Sequence, residues 1–188
     1  METRDIVYIA LFAAIVAALA LFPPLTIPLL SVPITAQSLG VMLAGGVLGA
    51  KRGSLALVLF LVLVAVGLPL LSGGRGGMGV FFGPTAGFLF GWVIAAFVIG
   101  WLTERFWDRL GFINAFLITF AGGVVVLYAI GLPWVAFSAD ISLLQATTGS
   151  LAFIPGDVLK AAIAAFVMVT VKRSYPLIRS GNSAATAA

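Results

Sequence analysis

Six apolar runs divide this chain, each near the length that crosses a lipid bilayer. A spanning helix needs about 20 mostly apolar residues. Ile6 to Phe22 is the first run and stops at Pro23-Pro24. Thr35 to Ala50 is a shorter second, closed by Lys51-Arg52, and Gly53 to Leu71 is the third. Pro84 to Thr103, Phe112 to Leu132 and Pro155 to Val171 complete the set. Between them lie an uncharged, proline-containing stretch at 25–34, a glycine-rich connection from Ser72 to Gly79 expected to be flexible, a charged turn from Glu104 to Arg109, and a long loop over 133–154. Only 9% of residues are charged and 62% are hydrophobic, where a soluble domain carries roughly 25% charge. The expected fold class is therefore all-α integral membrane, with six transmembrane helices forming one domain over 1–173 and a flexible cytoplasmic tail at 174–188. Met1 to Asp5 leads into the first run without a clear cleavage site, so that run reads as a retained span.

Orientation follows from lysine and arginine, which favour the cytoplasmic side. With six spans the two termini share a side. That side collects Arg4, Lys51, Arg52, Arg105, Arg109, Lys172, Arg173 and Arg179, while the other has only Arg75 in its loops and Lys160 just inside the membrane. The sequence thus predicts a multi-pass protein of the cell membrane with cytoplasmic termini. The net charge of +4 is small and its carriers scattered, which argues against nucleic acid as a partner.

Several chemistries are missing. There is no Cys and no His, which removes thiolate chemistry, the commonest general base and the commonest metal ligand; no metal site and no catalytic residue is expected. None of the three lysines completes a phosphate-binding GxxxxGK[ST] loop. An enzyme is the least favoured class.

The polar residues inside the apolar runs are few. Phe153-Ile-Pro-Gly-Asp-Val-Leu-Lys160 opens the last run. Pro155 suits the first helical turn, and Asp157 and Lys160, three apart, project from one face. Charges inside a bilayer usually face a cavity or a partner, so the pair reads either as one wall of a ligand site or as a helix cap with a snorkelling lysine. Gln37 opens the second run and reads as a helix-start hydrogen-bonder or a ligand contact. Arg75, between paired glycines, reads as a headgroup contact or a ligand or lid residue. Small residues mark close helix approach. Gly83, Gly87 and Gly91 form one such face. Ala10, Ala14 and Ala18 form another, widened by Ala13 and Ala17, that either packs internally or lies bare for another subunit.

Val32-Pro-Ile-Thr-Ala-Gln-Ser-Leu-Gly40, Gly45-Gly46 with Gly49-Ala-Lys-Arg-Gly53, Gly67-Leu-Pro69, Gly73-Gly-Arg-Gly-Gly77, Gly83-Pro-Thr-Ala-Gly-Phe88 and the segment 153–160 occur in this order. Together they resemble the BioY family, the biotin-binding S components of energy-coupling-factor (ECF) vitamin transporters, over roughly residues 5–173. The resemblance implies a six-helix protein that captures biotin from outside and delivers it with a transmembrane T protein and a pair of ABC-type ATPases. It implies no cofactor; biotin is the cargo. It assigns Asp157 and Lys160 to the biotin head group and leaves the valerate carboxylate to Arg75 or Lys160. It gives Ala10 and Ala14, with Ala13 and Ala17 as the other register, a docking role toward the T protein. A self-sufficient biotin facilitator and a lipid-binding scaffold are the competing readings, and a homo-oligomer is left open.

Overall fold

The computed structural model describes residues 2–26 and 33–178. Among them are α1 (Thr3–Ala18), α2 (Gln37–Leu48), α3 (Ala50–Ala65), α4 (Ala86–Arg105), α5 (Phe112–Ser138), α6 (Leu143–Ser150) and α7 (Ile154–Ser174). A two-residue antiparallel pair, β1 (Leu25–Thr26) with β2 (Pro33–Ile34), joins the ends of the 25–34 connection. Residues 27–32 of that connection, and the expected tail from 179 on, lie outside the described residues. The helical segments Thr3–Leu21, Ala86–Arg105, Phe112–Ser138 and Leu143–Ser174 are each long and apolar enough to cross a membrane. The chain is a multi-pass integral membrane protein.

α2 is the hub. Its 12 residues span only about 18 Å, yet ten of them are buried, from Gln37 and Ser38 to Leu48. It packs against α3, α4 and α7, and more lightly against α1. Glycine makes this crowding possible. A Cβ on Gly45 would run into the Ala96 carbonyl of α4, and one on Gly46 into Met168 of α7. Because α2 is short, its N-terminal end stops inside the bundle, and the space beyond that end is where the cavity lies.

Several boundaries differ from the sequence reading. Lys51 and Arg52 do not form a turn; they sit in the first turn of α3, and the break is Gly49 alone, at φ +85°. Glu104 of α4 closes this junction by accepting from the Ala50 N–H at 2.8 Å. The third helix ends at Ala65, not Leu71. Gly67, at φ +113°, donates to the Val64 carbonyl while Leu68 donates to Leu63, the glycine-terminated end that satisfies the last carbonyls. Most of the expected 133–154 loop is helical. α5 runs through Pro133 to Ser138, because the segment beyond the proline is held by tertiary contacts: Val135 is buried, and Trp134 packs on Gly87 and donates from Nε1 to the Gly83 carbonyl at 3.0 Å. Ser142 and Gln145 then form a reciprocal cap that starts α6. Gly91 meets Leu127 and so joins Gly87 on an internal face, whereas Gly83 faces open space.

One end of the bundle is tied by its cations. Arg52 bridges Asp5 at 3.3 Å and donates to the Leu177 carbonyl at 2.7 Å. Arg4 donates to Tyr175 Oη at 2.6 Å, and Lys172 to the Trp107 carbonyl at 2.6 Å. Residues 175–178, expected as the start of a flexible tail, are thus strapped to α1 and α3.

Candidate ligand site

At the other end, the beginnings of α2, α4 and α7, the middle of α5 and the turn after α3 line an open cavity, about 620 Å³ when the open solvent at its mouth is included. Gln37, Arg75, Asp157 and Lys160, the four polar residues singled out from sequence, all line it. Phe88, Leu89, Trp92, Leu127 and Phe153 supply most of the apolar wall. Phe88 meets Tyr128 edge to face, with ring centroids 6.0 Å apart.

Asp157 is only 6% exposed, in the first turn of α7. Burying a carboxylate is costly unless its oxygens are occupied. Here Oδ1 accepts from Lys160 Nζ at 2.9 Å and Oδ2 from Tyr128 Oη at 2.5 Å. Lys160 Nζ donates in addition to Ser38 Oγ at 3.0 Å. The chain Tyr128–Asp157–Lys160–Ser38 therefore laces α5, α7 and α2 together across the cavity floor. Each carboxylate oxygen keeps acceptor capacity, and the ammonium keeps a donor, for a ligand.

Arg75 sits on a closed turn. Leu71 and Arg75 exchange backbone hydrogen bonds at 3.0 and 3.2 Å, with Gly73 and Gly74 at φ +79° and +70° between them. The Gly77 N–H donates to the Val64 carbonyl at 2.8 Å. The glycines expected to make this segment flexible instead supply left-handed backbone that only they adopt cheaply. Among the described residues no carboxylate lies within salt-bridge range of Arg75. Partial burial lowers its pKa from the ordinary value, yet a guanidinium keeps its charge at neutral pH. With Asp157 and Lys160 cancelling, the cavity carries one net positive charge.

Gln37 is 1% exposed and all of its amide is used. Nε2 donates to the carbonyls of Val16 at 3.1 Å and Leu70 at 3.0 Å. Oε1 accepts from the Ser72 N–H at 2.9 Å and Ser72 Oγ at 3.1 Å. It forms wall, with no hydrogen-bonding capacity left for a ligand. Tyr128 and Ser38 are site residues that the sequence reading missed. The single tyrosine of a largely apolar span was the available signal, since polar groups at membrane depth tend to face a cavity.

On α1, Ala10 and Ala14 are exposed along with Ile6, Val7 and Leu11, whereas Ala13 is buried and Ala17 half-buried. Of the two alanine registers, only the first is bare.

A bundle of membrane helices around a partly open cavity, walled by aromatics and floored by a buried ion pair, defines a membrane protein built to hold a small, partly apolar ligand. The BioY family model matches residues 1–177. The biotin transporter BioY of Rhizobium etli is 52% identical, covering 95% of this chain and 98% of that one. That of Rhodobacter capsulatus is 46% identical over 92% and 95%. Among solved structures, an S component for biotin from an ECF-type ABC transporter superposes with a TM-score of 0.89 at 31% identity, covering 94% of this chain and 97% of that one. This chain belongs to the BioY family, a family of transporter S components and not of enzymes.

Proposed function

We propose that this chain is the biotin-capturing S component of an ECF-type transporter in the cell membrane, with six spans, cytoplasmic termini and the cavity opening outward. The observation that carries the reading is the convergence of Asp157, Lys160 and Arg75 on one apolar-walled cavity. Biotin's ureido ring has two N–H donors and one carbonyl acceptor. Asp157 takes the N–H groups, Lys160 donates to the carbonyl, and the aromatic wall packs on the bicyclic ring and valeryl chain. Arg75, which has no carboxylate partner among the described residues, takes the valerate carboxylate, which neutralises the cavity. Arg–carboxylate geometry favours this assignment over Lys160, whose ammonium is already engaged.

Capture without hydrolysis fits a chain that lacks a phosphate-binding loop; a T protein and an ABC-type ATPase pair supply the driving force. The bare Ala10–Ala14 face of α1 is the docking surface for the T protein, because small side chains let a partner helix approach closely. Vesicles test the division of labour. With this chain alone, biotin should bind up to one molecule per chain without entering the lumen; with T protein, ATPases and ATP it should accumulate. Equilibration of biotin across vesicles holding only this chain would establish the facilitator reading instead.

A further inference from the structure

Gln37 is buried at the cavity wall with its hydrogen bonds saturated, and the partners it chooses are informative. Two of its four bonds go to Ser72, and a third to Leu70, on the turn that carries Arg75. The Ser72 carbonyl in turn accepts from Arg75 Nε at 3.3 Å. The fourth bond reaches Val16 in the last turn of α1. The turn has no helical ladder of its own. Its pose relative to the cavity is set by this clamp, by the Leu71–Arg75 backbone pair, by the Gly77–Val64 bond and by Leu71, which is buried in the main core. Of the hydrogen bonds, the clamp is the one that ties the turn to α2.

From this we infer that Gln37 is a positioning residue that selects for a carboxylate-bearing ligand through Arg75, without touching the ligand itself. The inference rests on the proposed biotin site and deepens it. Asp157 and Lys160 recognise the head group, on a floor tied to α5 and α2. Gln37 governs the carboxylate contact, where the Arg75 guanidinium must be presented at carboxylate distance. Losing the clamp releases the turn, and the loss falls on ligands whose carboxylate uses Arg75.

The test compares labelled biotin with biotin whose carboxylate is amidated, on the purified full chain in detergent. Arg75→Ala, which removes the cation itself, should bring biotin down to the affinity of its amide. Gln37→Met keeps the bulk and removes the amide. It should weaken biotin about tenfold and the amide less than about twofold, and in combination with Arg75→Ala it should add nothing for biotin. Equal losses for both ligands, or additive losses in the double variant, overturn the inference in favour of a general packing role. Should Gln37→Met fail to fold, Ser72→Ala removes one of the clamp's bonds and should cost biotin roughly threefold with the amide unchanged; an equal loss for both, or none, overturns it as well. Wild-type chain that binds neither ligand would sink the site reading itself. Selective loss in Arg75→Ala with none in Gln37→Met would sink only the role of Gln37.

Discussion

Asp157 accepts from two short donors, Lys160 and Tyr128, in an apolar setting, and that arrangement leaves room for a ligand with N–H groups to join. Removing one partner of such a buried pair exposes the other to the full cost of an uncompensated charge. Asp157→Asn keeps the shape and loses the anionic acceptor; Lys160→Met loses the donor and strands Asp157. A hydrogen bond to a charged group contributes about 1.5–3 kcal/mol, so each variant should bind biotin at least about tenfold more weakly in equilibrium binding. Unchanged affinity in both, with folding intact, would return the pair to a helix cap. The pair was legible in the sequence because charge is scarce in an apolar run. Tyr128 was not, because its partner lies 29 residues on and only the packing of α5 against α7 brings them together. Arg75 was legible as a residue but not as the closing residue of a sharp turn, since paired glycines read the same whether they loosen a chain or bend it sharply.

At the level of elements, the apolar runs foretold the helices, and their ends were set by tertiary contacts. Pro133 reads as a stop, but Trp134 packs on Gly87 of α4, Val135 is buried with Ala146 and Phe153, and the helix continues; proline is tolerated in membrane helices when neighbours hold the segment. α2 tests the packing argument. Gly45→Val would drive a side chain against the Ala96 carbonyl and the Ile99 Cβ, 3.0 Å away. Overpacking typically costs about 1–3 kcal/mol, so the purified variant should melt at lower temperature with or without biotin, and an unchanged melting temperature would mean that α2 and α4 are not in such close contact. α1 tests the docking argument. Ala14 is exposed and lipid accommodates bulk there, so Ala14→Trp should leave biotin binding intact while co-purification with the T protein and ATP-driven uptake fall together. Lost binding, or an intact complex, would remove the docking role.

For the whole molecule, the cation-rich end and the cavity end lie at opposite poles of the bundle, and the proposed topology puts the first in the cytoplasm. The chain contains no cysteine, so single cysteines report sidedness cleanly. Asp108→Cys, in the turn between α4 and α5, should be labelled only from the cytoplasmic face, and Thr147→Cys, exposed on α6, only from outside. The opposite pattern would invert the topology and turn the cavity inward. The central claim is that this single chain, without its partners, holds biotin in the cavity between α2, α4, α5 and α7. Labelled-biotin binding to the purified, detergent-solubilised wild-type chain tests it most directly: saturable binding of about one biotin per chain, displaced by unlabelled biotin, is the predicted result, and a folded, monodisperse chain with no saturable binding would contradict it.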